Sequence, residues 1–328
     1  MKHPLLRPLL IVLALAGLPG FAAAKSFDTE VKKFIDQMVA EHDFDREYLD
    51  ELFAKVETRD RVLELISRPA EKAKPWHEYR DIFLQPERIT AGVQFWKENE
   101  QLIGDVATHW GVAPEIVVAI LGVETYYGRL TGGFPVLDTL ATLAFEYPPR
   151  SKFFRSELEQ FLLLTREENV DPSGAIGSYA GAMGAPQFIS SSYRRYAVDT
   201  NEDGRRDLWS DWNDIVGSVA NYFSEHGWKE GEPVVARVNI ISRSGALLAE
   251  KNSLKLAHSV ESLREHGVEF SKLPPCNEKL AIFSLDARDG KEYWVGFKNF
   301  YVITRYNHSP LYAMAVYDLS REIRQRIQ

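Results

Sequence analysis

Glu124 closes a stretch in which every position from Ile116 to Val123 is apolar or glycine, after an opening Pro114 that suits a first helical turn. A helix that is apolar all round is a buried one. Glu124 follows Ile120 by four residues and Ile116 by eight, so it shares their stripe. Its carboxyl group is thereby drawn partly out of water, which disfavours the charged form and raises the pKa. A glutamic acid that keeps its proton near neutral pH serves as a general acid. The same placement suits a structural carboxylate satisfied by Arg129 or by a backbone N–H, and periodicity alone does not separate the two.

A second group of oxygens lies in Asp199-Thr200-Asn201-Glu202-Asp203-Gly204-Arg205-Arg206-Asp207. This run fits the EF-hand pattern D-x-[DN]-x-[DN]-G, with side-chain oxygens at alternate positions and Gly204 at the sharp turn. Arg205 would offer its main-chain carbonyl, so its charge need not intrude. The departure is at the twelfth position, where Ser210 stands in place of a bidentate glutamate. The pattern points to a structural Ca2+ site, the alternative being a solvated acidic turn.

These residues need elements to hold them. Apolar residues recur at helical spacing from residue 26 to residue 110: Val31, Phe34, Ile35 and Met38, then Leu49, Leu52 and Phe53, then Val62, Leu65 and Ile66. Asp28 and Asp45 stand where helix caps would. Asp138 to Phe145 and Ser151 to Arg166 read as further helices, separated by Tyr147-Pro148-Pro149-Arg150. From Pro233 the pattern changes. Val234–Ile240, Leu280–Leu285 and Tyr293–Phe297 are rich in β-branched and aromatic residues and read as strands, with one or two helices among them. Phe300 to Arg305 and Tyr312 to Arg324 return to a helical pattern.

The first 24 residues read as a targeting segment: Lys2 and Arg7, an apolar stretch from Pro8 to Phe21, then Ala22-Ala23-Ala24. No cysteine stands at that cleavage site to carry a lipid; the single cysteine is Cys276. A lone cysteine forms no internal disulfide, so packing must supply the stability. A net charge of −8 with no basic run argues against a nucleic-acid partner. Neither GxGxxG nor a Walker loop occurs, and the eight histidines lack zinc-ligand spacing. No organic cofactor is expected.

Four separated segments resemble one known family. They are Gly122-Val123-Glu124-Thr125-Tyr126-Tyr127-Gly128-Arg129, Gly181-Ala182-Met183-Gly184-Ala185-Pro186-Gln187-Phe188, Gly217-Ser218-Val219-Ala220-Asn221-Tyr222-Phe223 and Tyr301-Val302-Ile303-Thr304-Arg305-Tyr306-Asn307-His308-Ser309. In this order they resemble the lytic murein transglycosylase B family, glycoside hydrolase family 103, from about Phe27 to the C-terminus. The resemblance implies that Glu124 is the catalytic residue. It implies that Tyr79, Arg150, Ser178, Gln187, Tyr222, Tyr306, Asn307 and Tyr312 contact the substrate. Many relatives carry two arginines where this chain has Pro149 and Arg150, so only Arg150 carries over, toward a peptide or lactyl carboxylate. Loops of this kind in the family close later than in an EF-hand, and register from Gly217 puts the closing carboxylate at Asp214. The expected ligand set is therefore Asp199, Asn201, Asp203, Arg205, Asp207 and Asp214.

The fold implied is α+β and mainly helical, a lysozyme-like catalytic core with an N-terminal helical lobe and a small β-rich lobe. The expected divisions are a signal peptide at 1–24, the helical lobe at 25–95 and the core at 96–230. The β-rich lobe follows at 231–300, and a segment at 301–328 returns to the helical lobe. The implied reaction is cleavage of the β-1,4 bond between N-acetylmuramic acid and N-acetylglucosamine in peptidoglycan, leaving 1,6-anhydromuramoyl ends. Two-carboxylate glycosidases need a second acid, and none is marked at the matching motifs. Two alternatives stay open, a hydrolytic lysozyme-type muramidase and a non-catalytic peptidoglycan-binding scaffold. The partners expected are peptidoglycan glycan strands and cell-wall synthesis or remodelling enzymes. No membrane anchor is expected, and the location implied is the periplasm.

Overall fold

A computed structural model describes residues 19–67, 74–272 and 279–327, with the backbone alone described for 19–26. The expected targeting segment as far as residue 18, and Cys276, lie outside the described residues.

The chain divides into two compact units, Met1–Val56 and Glu57–Gln328. The first holds α1 (Pro19–His42) and α2 (Arg46–Phe53). Phe34 and Phe53 meet edge to face across them at 5.8 Å, with Ile35, Met38 and Leu49 also buried. Asp45 caps α2 as expected, accepting from the Tyr48 N–H at 2.8 Å. Asp28 does not cap a helix. The helix already runs from Pro19 through the alanines before it, good helix formers that carry the turn past Asp28.

In the second unit the helices come first: α3 (Asp60–Ile66), α4 (Trp76–Phe83), α5 (Pro86–Glu98), α6 (Glu100–Trp110) and α7 (Pro114–Thr125). A two-residue pairing of β1 (Phe134–Pro135) with β2 (Ile176–Gly177) flanks α8 (Val136–Glu146) and α9 (Ser151–Glu167). Next are α10 (Ser190–Tyr196) and α11 (Trp212–Glu225). Helix α7 is buried on every side because α5, α6, α11 and the C-terminal helix all touch it. That is the packing an all-round apolar sequence demands. The helix stops at Thr125, one residue past Glu124, for a reason that belongs to the site.

The sheet region begins with β3 (Val235–Ile240), α12 (Arg243–Glu250) and β4 (Ser253–His258), followed by α13 (Val260–Glu265) and β5 (Val268–Phe270). It closes with the hairpin of β6 (Leu280–Ala287) and β7 (Gly290–Gly296). The five strands lie in the antiparallel order β4-β6-β7-β3-β5. Leu280 to Leu285 is buried without alternation because β6 is an inner strand, paired on both edges, and is covered by α4 and α12. Last come α14 (Lys298–Tyr306) and α15 (Pro310–Ile327). Helix α15 lies against α4, α5, α7 and α14, so the end of the chain walls in the helix that carries Glu124. The architecture is α+β and mainly helical, the class expected from the sequence.

Candidate active site

Glu124 occupies the penultimate position of α7 and is half-buried. The helix ends beyond it because Tyr126 and Tyr127 both adopt left-handed backbone angles, φ 53° and 59°. Such angles are uncommon for a residue with a Cβ and need outside support. Here the support is visible. The Tyr127 ring fills a hollow that exists only because Gly92 and Gly122 lack side chains; a Cβ at Gly122 would stand 2.6 Å from its hydroxyl oxygen. That hydroxyl donates to the Arg88 carbonyl at 3.1 Å. Burial pushes its pKa well above the ordinary tyrosine value. Thr125 Oγ1 donates to the Ala185 carbonyl at 2.8 Å and accepts the Gly128 N–H at 3.0 Å, which ties the helix end to the loop after residue 180.

The carboxylate itself receives a hydrogen bond on Oε1 from the Tyr312 hydroxyl of α15. Arg129, offered by the sequence as a partner, instead lies over the Tyr126 ring, 5.1 Å from its centroid. Tyr306 stacks on Tyr312 with centroids 6.5 Å apart and planes 12° from parallel, and donates to the Pro186 carbonyl at 2.7 Å. Burial, reinforced by the negative charge of Glu124, holds both phenols far above their usual pKa. They therefore stay neutral donors.

Tyr306 also forms one wall of a cleft of about 580 Å³. Arg150, Gln187, Tyr222, Tyr306 and Asn307, five of the residues singled out in the sequence, line it together. The floor is aromatic. Tyr222 lies 4.8 Å from Tyr306 and 5.6 Å from Phe188, and its hydroxyl donates to the Arg305 carbonyl at 2.7 Å. Arg150 rests over Phe153 at 4.3 Å, on the rim. The lining includes Arg150 and Arg305 but no aspartate or glutamate, so the cleft favours an anionic or neutral ligand.

Tyr79 and Ser178 have other surroundings, and Gln187 is held from behind. Tyr79 is buried on α4, its ring 5.2 Å from Phe83. Ser178 closes its own turn, its Oγ accepting the Ala182 N–H at 3.1 Å and the Ala180 N–H at 3.3 Å. Gln187 (φ 54°) gives its Nε2 to the Thr131 and Gly184 carbonyls at 3.1 and 2.9 Å, which leaves its Oε1 as the group to offer a ligand. Gly184 (φ 68°) cannot be replaced there, since a Cβ would fall 2.1 Å from the Leu208 carbonyl oxygen.

The acidic loop is held by its own amides. Asp199 accepts the N–H groups of Asp203 and Gly204 at 3.1 and 2.8 Å, Asn201 that of Asp203 at 3.1 Å, and Asp203 that of Arg205 at 2.9 Å. Gly204 takes the positive φ of 88° that its position in the motif calls for. Asp207 accepts the N–H of Trp209 at 2.8 Å and that of Ser210 at 3.0 Å. Asp214 is fully buried, accepts the Thr200 and Asp207 N–H groups at 2.8 Å each, and has its pKa raised by burial. The donor chemistry, hard oxygens with excess negative charge, fits Ca2+. The side chains are not drawn together, however: among the described residues no three acidic, histidine or cysteine groups converge as a metal shell.

Arg88 carries no signal in the sequence. Its guanidinium donates to the Gly122 carbonyl at 2.5 Å from a helix 34 residues away, and no local pattern marks it. Phe153, Phe154 and Phe188, which complete the aromatic lining, are equally indistinct from core residues in the sequence.

With this geometry in view, comparison with known proteins is direct. The transglycosylase SLT domain family matches residues 26–321. The chain is 42% identical over 301 residues to membrane-bound lytic murein transglycosylase B of Escherichia coli K12, covering 89% of this chain and 82% of that protein. Among solved structures it resembles the soluble lytic transglycosylase SltB1 of Pseudomonas aeruginosa, with 46% identity and a TM-score of 0.85 over 90% of this chain and 99% of that one. It also resembles the E. coli lytic transglycosylase Slt35 in complex with calcium, with 41% identity and a TM-score of 0.83 over 90% and 93% of the two chains. The matching stretch carries Glu124, the helices around it and the aromatic cleft, and the chain belongs to the transglycosylase SLT domain family.

Proposed function

We propose that this protein is a lytic transglycosylase that cleaves the β-1,4 bond between N-acetylmuramic acid and N-acetylglucosamine in peptidoglycan. The observation that carries this reading is the pairing of one half-buried glutamate, Glu124, with an adjoining aromatic cleft whose lining has no carboxylate. An inverting or retaining hydrolase needs a second carboxyl group across the scissile bond. A single group can instead act twice. Glu124 protonates the glycosidic oxygen as the C1–O bond breaks, then its carboxylate takes the proton of the C6 hydroxyl as that oxygen bonds to C1. The sugar's own hydroxyl replaces water, and the product is a 1,6-anhydromuramoyl end.

Tyr222, Tyr306, Tyr312 and Tyr79 supply apolar faces for sugar rings. Gln187 Oε1 and Asn307 take hydroxyl and N-acetyl groups, and Arg150 takes a lactyl or peptide carboxylate. Ser178 acts by shaping the loop beside the cleft. Asp199, Asn201, Asp203, the Arg205 carbonyl, Asp207 and Asp214 would hold a Ca2+ ion, whose charge would offset that of the carboxylates and stabilise loop 199–214. The calcium complex of the relative Slt35 supports this. The helical lobe, core and β-rich lobe are assigned as read from the sequence. Residues 1–24 direct export to the periplasm, where glycan strands and cell-wall enzymes are the partners. Among the described residues no single helix is long and apolar enough to cross a membrane.

The test is mass spectrometry of the muropeptides released from purified peptidoglycan. Anhydro products, one water lighter than hydrolytic ones, are expected. Reducing ends alone would mean a lysozyme-type muramidase, and binding without release would mean a scaffold.

A further inference from the structure

The feature that the proposed reaction leaves unused is a half-buried cation at the end of the helix bearing Glu124. Arg88 sits in the first turn of α5, and its Nη1 donates to the Gly122 carbonyl at 2.5 Å, two residues before Glu124. Within the main chain the Gly122 carbonyl has only the long bond from the capping Tyr126 N–H at 3.3 Å, and this end of the helix carries its negative pole, so a cation there is favourable. The plane of the guanidinium is held as well. It lies over the Tyr126 ring at 4.7 Å and the Phe83 ring at 5.4 Å. Among the described residues no carboxylate pairs with it, and burial lowers its pKa. A surface arginine merely covering a helix end would have neither this burial nor two aromatic faces.

The main chain of the same residue is used too. Its carbonyl accepts the Tyr127 hydroxyl at 3.1 Å, so Arg88 grips α7 through Gly122 on one side of Glu124 and through Tyr127 on the other. Between those two grips lie Glu124 and the left-handed Tyr126. The Gly92 and Gly122 hollows set how closely α5 and α7 approach, and Arg88 sets how the last turn is oriented. We infer that Arg88 is a positioning residue: its guanidinium, clamped between Gly122 and Tyr126, fixes the last turn of α7 and with it the aim of the Glu124 carboxyl group. Arg88 is not among the residues that line the cleft. The inference rests on Glu124 being the acid.

Such a role predicts a loss in turnover rather than in substrate affinity, because a misaimed acid still lets the glycan bind. The experiment compares Arg88→Gln and Arg88→Lys with the unaltered enzyme, using steady-state turnover of soluble glycan strands well below the melting temperature. For Arg88→Gln, kcat should fall about tenfold or more while KM stays within about twofold, a modest misplacement of a reacting group being enough for this. Arg88→Lys keeps a cation for the Gly122 carbonyl but loses the flat stack on Tyr126. It should recover part of kcat and still fall severalfold short. If Arg88→Gln does not fold, Arg88→Lys carries the test alone, and an unchanged kcat in it overturns the inference. So does a loss carried by KM, or one that only follows the unfolded fraction measured by circular dichroism in the same sample. Glu124→Gln is assayed alongside. Turnover by that variant would show that Glu124 is not the acid, a failure distinct from any result with Arg88.

Discussion

The Tyr312 hydroxyl donates to Glu124 Oε1 although the two residues stand 188 positions apart in the sequence. One lies at the end of a buried helix, the other in the opening turns of the last one. Tyr312 in turn stacks on Tyr306, so the carboxylate is joined through two neutral phenols to the wall of the cleft.

Tyr312→Phe keeps the ring and removes only the donor. A hydrogen bond to a charged group contributes about 1.5–3 kcal/mol, which corresponds to roughly a tenfold to hundredfold change when expressed in a rate. We expect kcat to fall by about that range with the fold unchanged. Wild-type kcat in a folded Tyr312→Phe enzyme would show that the bond does not bear on the reaction.

Glu124→Gln retains shape and hydrogen-bonding capacity but has no proton to transfer. Loss of one group that serves as both acid and base should lower kcat by at least about a thousandfold. Binding of glycan fragments, read by calorimetry, should persist. Substantial remaining activity would move the acid elsewhere.

Chelation tests the acidic loop. A bound ion stabilises the folded state by RT ln(1 + [L]/Kd), about 2.7 kcal/mol at a hundredfold excess over Kd. For a chain of this size that corresponds to a drop of several degrees, at roughly 2–4 °C per kcal/mol. Ca2+ should restore the melting temperature better than Mg2+, and Asp203→Ala should make melting insensitive to either. Identical melting curves with chelator and with Ca2+ would leave the loop as a solvated turn.

High pH should unfold the protein through its tyrosines. Burial raises the pKa of Tyr127, Tyr193, Tyr222, Tyr306 and Tyr312 above the ordinary value of 10. Between the unfolded and folded values the native state holds more protons, so stability falls as pH rises from about 10. Below that pH this contribution is fully present. Tyrosinate absorbance from these rings should therefore appear together with the loss of helical circular dichroism. Their titration in a still-folded protein would contradict the burial described here.

Two glycines give opposite expectations for the same substitution. At Gly122 an added Cβ meets Tyr127 at 2.6 Å, and overpacking of this kind costs about 1–3 kcal/mol. At exposed Gly104, inside α6, nothing lies within 4 Å, and Ala should stabilise by about 0.5–1 kcal/mol. Denaturant midpoints for Gly122→Ala and Gly104→Ala check both, and equal shifts would mean that the Tyr127 hollow is not a close fit.

Much of this site could be read from the sequence where one local period decides it. Ile116 to Val123 announced a buried helix because no polar residue interrupts it, and the burial followed. Only a family resemblance points to Tyr306 at the cleft and Tyr312 beside Glu124, since as isolated aromatics they look like core. Arg88 escaped notice because its partner is a main-chain carbonyl, a group every residue has. Asp28 resembles a cap in sequence but lies inside α1, because the residue types that mark caps also occur within helices. Strands β4 and β5 went unread for want of pattern: β4 is only half-buried on one face, and β5 has three residues.

The placement of α15 has a consequence for how the enzyme comes into being. A nascent chain that has emerged as far as Asn307 already contains Glu124, Gln187 and Tyr222, yet lacks the helix that covers α7 and brings the Tyr312 hydroxyl to the carboxylate. The surroundings of Glu124 are thus completed late, by a segment synthesised after α7 and the cleft residues before it. A partly made or C-terminally clipped molecule would carry an exposed apolar helix in place of a working blade, a substrate for quality control rather than a danger to the cell wall.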